Sequence, residues 1–170
     1  GEIRRALEEY GCFAAVYKKV SLEHRESMFD HCKKLFQLPL ETKLKNTSDV
    51  LGFGYDGNFP NMPLVEYFGI ENAGSVDSTN KFANQMWPNA NVHKFCEETL
   101  SYSKLIAELD DVVIQMLLGS YGLLEKKNYE PLKNSCVYLM RFTKYRSPKM
   151  DETKIGHLPH KDKSFMGVID

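Results

Sequence analysis

The sequence predicts an α+β fold, with an N-terminal helical region followed by strands. Three observations carry that expectation. Apolar residues recur at helical spacing over the long stretch from Val92 to Tyr121. The run Cys136–Thr143 (CVYLMRFT) is dense in β-forming residues. Helical patterns come first and strand patterns late, without the alternation that a parallel α/β sheet demands.

Taken in order, residues 2–10 (EIRRALEEY) place Ile3, Ala6, Leu7 and Tyr10 on one helical face, and Gly11 is a suitable stop. Cys12 to Val16 is a short apolar run, better suited to a strand than a helix at that length. Ser21 is a natural N-cap, and Glu23 sits in the first turn where the helix dipole favours a carboxylate. The helix that follows aligns Phe29, Cys32, Leu35 and Phe36, and Pro39 breaks it. Residues 46–63 mix Asn, Asp, Gly and Pro and read as loop. Val65–Ile70 reads as a strand, and residues 71–91 as turns. The long helix then carries Phe95, Tyr102, Leu105, Ile106, Leu109, Val112, Val113, Met116 and Leu117 on its stripe, with Gly122 to end it. It suits a scaffold helix beneath a sheet. Beyond Ser147-Pro148, the segments Ile155–His160 and Phe165–Ile169 read as further strands. Two regions follow from this order: residues 1–134, mainly helical with a few strands, and residues 135–170, where a β core begins.

The composition, 42% hydrophobic and 12% aromatic over 170 residues, supports one packed core rather than a disordered chain. Twenty-two basic and 23 acidic side chains leave a net charge of −1. That balance gives no electrostatic reason to bind nucleic acid or an anionic membrane. No apolar run approaches the roughly 20 residues of a membrane span, and no signal or transit peptide is legible. Cys12, Cys32, Cys96 and Cys136 form no C-x-x-C pair, which favours free thiols in a reducing, cytoplasmic setting. The chain starts at Gly1 with a helical pattern already running and stops at Asp170 inside a strand-like run, so it reads as truncated at both ends.

The chemistry concentrates at His160-Lys161-Asp162. Residues at i and i+2 of an extended segment project to the same side. An imidazole and a carboxylate there make two corners of the two-His, one-carboxylate triad that holds iron(II) with open positions. By the same parity His157 points to the opposite side, unless Pro159 turns the chain. His24, His31 and His93 fall on helices and read as partly exposed helix residues.

The surroundings of that motif resemble the plant-type iron(II)/2-oxoglutarate-dependent dioxygenases, and within them the AOP-like (alkenyl hydroxyalkyl-producing) group. Residues 151–163, DETKIGHLPHKDK, follow that group's D-E-T-K-x-G-L-x-x-H-T-D-K pattern at Asp151, Glu152, Thr153, Lys154, Gly156, His160, Asp162 and Lys163. Glu8–Phe13, Leu35–Asn46, Gly54–Gly57, Pro63–Ile70, Met86–Pro88 and Tyr138–Pro148 resemble further family patches in the same order. The resemblance implies that the late strands open a double-stranded β-helix (jelly roll, cupin-like), incomplete because about eight strands are wanted and perhaps five are legible. It also implies iron ligation by His160 and Asp162 and contact of Tyr145 with the 2-oxoglutarate carboxylate. Arg141, at even spacing on the same strand, would face the same cavity. The implied cofactors are Fe(II), 2-oxoglutarate as cosubstrate and ascorbate in support. The implied partners are O2 and a small specialised metabolite that is hydroxylated, desaturated or cyclised.

Position 161 departs from the pattern, with Lys for Thr. The family's second iron-binding His and its R-x-S motif have no counterpart, since the eight residues after Asp162 include neither His nor Arg. Two alternatives therefore stand beside the dioxygenase reading. One is an inactive paralogue or interaction module on the same scaffold. The other is an unrelated zinc site on His157, His160 and Asp162.

Overall fold

A computed structural model of the protein describes residues 1–50, 52–162 and 164–170. Lys163, one of the matched motif positions, lies outside them. The elements are α1 (Glu2–Tyr10), α2 (Leu22–Phe36), α3 (Leu40–Lys43), β1 (Tyr55–Phe59), β2 (Met62–Glu71), α4 (Val76–Met86), α5 (His93–Ser120), α6 (Lys126–Ser135) and β3 (Leu139–Tyr145). The fold is α+β. Gly11 closes α1 in the left-handed conformation at φ 74°. Ser21 caps α2 by accepting the His24 N–H at 3.1 Å.

β1, β2 and β3 form an antiparallel sheet with β2 in the centre. Phe68 of β2 stands opposite Tyr55 and Phe142. This face packs on the helices through Leu35, Phe36, Phe82, Met86 and Phe95. Around Phe68 the rings meet edge-on or tilted, with Phe36 and Phe82 centred 5.4 and 6.0 Å from it. Because β2 is central and covered on both sides, most of it is buried, and its sequence reads as a near-continuous apolar run instead of an alternation.

The face turned from the helices carries Val65, Tyr67 and Gly69, paired with Tyr145, Thr143 and Arg141. The loop before β1 crosses it so closely that a Cβ on Gly69 would lie 2.5 Å from the Phe53 carbonyl oxygen. Gly69 is also held by its N–H on the Gly54 carbonyl (2.8 Å) and by the Asn46 amide on its own carbonyl (3.0 Å). Backbone on both sides leaves no slack. Gly69→Ala is therefore expected to lower unfolding free energy by about 3 kcal/mol in urea titration; a loss below about 0.5 kcal/mol would place the loop elsewhere.

Several elements differ from the sequence expectation. Cys12–Val16 is irregular, because no neighbouring strand offers it a ladder, and Val16 is exposed. Residues 46–63 contain β1 and the start of β2, joined by a tight turn at Pro60-Asn61. Residues 71–91 contain α4. Its Thr79, Phe82, Ala83 and Met86 are buried at helical spacing, though polar neighbours mask the pattern in the sequence. α6 was also unforeseen. The strand expected at Cys136–Thr143 begins three residues later, at Leu139. Ile155–His160 and Phe165–Ile169 have no regular structure, so the described residues hold three strands, not five. An extended segment becomes a strand only beside a partner. On α5, Val112 and Met116 of the expected stripe are exposed, while Thr99, Ser103 and Asp110 are buried. His31 is buried too, correcting its reading as a partly exposed residue: its Nε2 lies 2.6 Å from the Glu98 carboxylate.

Candidate metal and cosubstrate site

β3 delivers the chain to the site. It pairs with β2 from Leu139 to Tyr145, and the Arg146 N–H extends the contact to the Leu64 carbonyl at 2.9 Å. The chain then turns tightly. Arg146 grips Glu152 through both guanidinium nitrogens, at 2.7 and 2.5 Å, and the Lys149 N–H donates to the same carboxylate at 3.0 Å. These bonds, Arg146 first, hold the Glu152 carboxyl down to about 2, so the turn stays ionised and closed across the physiological range. Returning, the chain lays Gly156 against the Tyr145 ring, where a Cβ would stand 3.3 Å from two ring carbons. A methyl there would press on the half-exposed Tyr145 ring, which would have to give by a few tenths of an ångström.

His160 and Asp162 follow. Although the segment is not a ladder strand, the two side chains converge, with His160 Nε2 3.3 Å from Asp162 Oδ1. Both are exposed. His160 Nδ1 lies 2.9 Å from the Leu158 carbonyl oxygen. A carbonyl only accepts, so Nδ1 carries the proton in that bond and Nε2 faces the carboxylate. Metal-binding imidazoles are commonly oriented in this way by a backbone carbonyl. The donor set, one imidazole nitrogen and one carboxylate oxygen on one side of the chain, thus fits two positions around iron(II). Among the described residues no third His, Cys, Asp or Glu is already closed around the same point.

His157 departs from the strand-parity expectation. With a bend at Gly156-His157, its ring lies on that of His160, centroids 4.2 Å apart and planes at 35°. Its Nδ1 also approaches the Leu158 carbonyl, at 3.0 Å.

Tyr145 is half exposed and borders an open groove of about 420 Å³ between α2 and the end of β3, lined also by Phe29, Cys32, Phe36, Thr143 and Lys144. Arg141 shares the strand face of Tyr145, as its register opposite Gly69 requires. Its guanidinium donates to the Gly52 carbonyl at 3.1 Å and lies 5.0 Å over the Tyr67 ring. Gly52 takes φ 85°, and a Cβ there would meet the guanidinium at 2.5 Å. Four residues apart on a strand, about 13 Å, Arg141 and Tyr145 stand at the two ends of this face.

The sequence did not reveal a second polar cluster, on the helix side of the sheet. Glu66 accepts from Lys43 (2.8 Å), Tyr55 (3.0 Å) and Lys144 (3.1 Å). Burial pushes the Glu66 carboxyl up, but the bonds from Lys43, Lys144 and Tyr55 outweigh it and hold it below the usual range. Burial and the Glu66 carboxylate push the Tyr55 phenol up in turn. The only hint in the sequence was a charged residue inside an apolar strand.

An α+β scaffold whose β3 ends on Tyr145 and is followed by an H-x-D pair is the arrangement expected of a non-haem oxygenase. Comparison with known proteins agrees: residues 1–90 match the family described as non-haem dioxygenase in morphine synthesis, N-terminal, and the chain belongs to it. The chain is 36% identical over 172 residues to the Arabidopsis thaliana protein named "Probable 2-oxoglutarate-dependent dioxygenase AOP1", covering 99% of this chain and 55% of that protein. It is 38% identical over 148 residues to "2-oxoglutarate-dependent dioxygenase AOP2" from the same plant, covering 86% and 33%. Among solved structures it resembles dioxygenase for auxin oxidation 1 from Arabidopsis thaliana in complex with 2-oxoglutarate, with a TM-score of 0.81 and 30% identity over 95% of this chain and 58% of that one. The chain thus spans about half the length of the AOP1 relative. No described helix is long and apolar enough to cross a membrane, and the four thiols are unpaired.

Proposed function

We propose that the protein serves as an iron(II)- and 2-oxoglutarate-dependent dioxygenase that oxidises a small specialised metabolite by hydroxylation, desaturation or ring closure. The observation that carries this is the convergence of His160 and Asp162 directly after a strand that ends on Tyr145. In this reading His160 Nε2 and an Asp162 oxygen hold iron(II). The iron, when bound with 2-oxoglutarate and O2, supplies the oxidative chemistry, with succinate and carbon dioxide as coproducts.

The chain's own residues position the reactants. The Leu158 carbonyl keeps the proton on His160 Nδ1 and leaves Nε2 for the metal. The Tyr145 hydroxyl donates to a cosubstrate carboxylate, and Gly156 keeps its ring in place. Arg141 stands at the far end of the same face, where it pins the Gly52 loop and adds positive charge near an anionic cosubstrate. We read residues 135–170 as the start of a jelly-roll core, the compartment as cytoplasmic, and ascorbate as the reductant that keeps iron ferrous.

The test is succinate formation from 2-oxoglutarate with iron(II) and ascorbate, run on this chain and on the longest form of the protein made from its own transcript. Iron-dependent succinate from either form is the expected result. Its absence from both would favour an inactive scaffold protein.

A further inference from the structure

We infer that Arg146 and Glu152 are a positioning pair that fixes the separation between the cosubstrate anchor, Tyr145, and the metal donors, His160 and Asp162. The inference rests on the proposed placement of iron(II) and 2-oxoglutarate and names what holds those two ends together. It also gives a role to Glu152 of the Asp151-Glu152-Thr153-Lys154 run. Three observations support it. The guanidinium grips both carboxylate oxygens, at 2.7 and 2.5 Å, and the Lys149 N–H adds a third bond at 3.0 Å. An isolated exposed ion pair holds little, but a planar fork on a carboxylate with a further donor admits one geometry. The clasp is anchored to the sheet, because the Arg146 N–H donates to the Leu64 carbonyl at 2.9 Å. Beyond it, Thr153 Oγ1 accepts the Ile155 N–H at 3.1 Å, and the next residue, Gly156, lies against the Tyr145 ring.

The lengths decide what the clasp does. Fifteen residues separate Tyr145 from His160, a stretch that could extend to roughly 50 Å. With the clasp closed and Gly156 on the ring, four residues link the ring to His160, a reach of roughly 14 Å at most. His160 and Asp162 are two positions apart and converge locally, so they hold a cation whether the clasp is open or closed. A dicarboxylate that must meet the metal and Tyr145 together needs both ends at a set separation. An unclasped segment has to be ordered when that ligand binds, at an entropic cost. The pair therefore acts on cosubstrate affinity and leaves metal affinity alone.

The test uses Co(II), which takes the same donors and reports its coordination in visible absorption. The protein is titrated with Co(II), and the Co(II)-loaded protein with 2-oxoglutarate, by calorimetry and by spectrum. The forms compared are the unaltered chain, Glu152→Gln, Arg146→Lys, Tyr145→Phe and Glu152→Gln combined with Tyr145→Phe. Both side chains of the pair are partly exposed, so the fold survives these changes, and urea titration checks that. Glu152→Gln is expected to weaken 2-oxoglutarate about tenfold or more while Co(II) affinity stays within about twofold. Arg146→Lys, which keeps the charge and loses the fork, should do the same to a smaller degree. Once the clasp is open, Tyr145→Phe should add little, so the two losses should not sum. Unchanged 2-oxoglutarate affinity in both clasp variants overturns the inference alone, as does a loss of Co(II) affinity equal to that of 2-oxoglutarate, or full additivity with Tyr145→Phe. An unaltered protein that binds no Co(II), or binds it and takes no 2-oxoglutarate, overturns the proposed function and the inference with it.

Discussion

Replacing His160 by alanine is expected to lower iron-dependent succinate formation at least about a hundredfold. Loss of a group that merely orients a ligand costs 10–100-fold in metal affinity or activity, and loss of the ligand itself sets that as a floor. Asp162→Ala should match it, because a neutral methyl offers neither an oxygen nor a charge to the cation. Tyr145→Phe should behave differently. It removes one hydrogen bond to a charged partner, so it should raise KM for 2-oxoglutarate by about tenfold while Co(II) affinity stays unchanged. Succinate assays at varied 2-oxoglutarate, beside metal titration of the same variants, separate the two roles. A His160→Ala protein that keeps half of its turnover would remove iron from this position.

Glu66→Ala is expected to be the most destabilising of the polar substitutions, by about 3–5 kcal/mol. The Lys43 side chain is 10% exposed and that of Glu66 is 22% exposed. The Lys43 ammonium sits 5.8 Å from the Phe36 ring centre and 5.6 Å from that of Tyr55, with the Glu66 carboxylate as its ion-pair partner. Without that carboxylate a buried cation is left unpaired, and the Tyr55 hydroxyl loses its acceptor. Lys144, with a side chain 46% exposed, simply reaches water. Lys43→Met should cost less, since Glu66 keeps Tyr55 and Lys144 and the new side chain packs on the same rings. The pH dependence has a definite sign. Glu66 is held below its ordinary value of 4.5 in the fold. Its contribution is therefore complete above that pH and lost as pH falls through and below it. The stability gap between the native protein and Glu66→Gln should narrow in acid, as urea titrations from pH 7 to pH 3 would show. A gap that widens in acid would contradict the ion pair.

Glu66 also shows why part of the molecule was hidden in the sequence. Lys43, Tyr55, Glu66 and Lys144 lie on four different elements, and nothing local draws them together. Register does so: Tyr55 pairs with Phe68 and Glu66 with Lys144, which puts the side chains on the helix side within reach of one carboxylate. α4 was missed for a related reason. Its buried Thr79 and Ala83 are not strongly apolar, and they become core only because α5 and β2 press on them. The expected strands at 155–160 and 165–169 had the right composition, yet β pairing needs a neighbour and none lies beside them in the described residues.

His157 and His160 mark the division most clearly. Their identities are properties of the chain, and the i, i+2 spacing of His160 and Asp162 together with the order of family-like patches was enough to place the protein in its class. Local periodicity determined the long helix, the caps at Ser21 and Gly11, and β3 to within a few residues, because those depend on neighbours three or four positions away. The tertiary structure alone decided the sheet order, the buried Glu66 cluster and the turn that puts His157 on the same side as His160. A side chain's direction at the Gly156-His157 bend depends on how the whole segment is folded back, here by Arg146 on Glu152 and by Gly156 on Tyr145, and no parity rule contains that information.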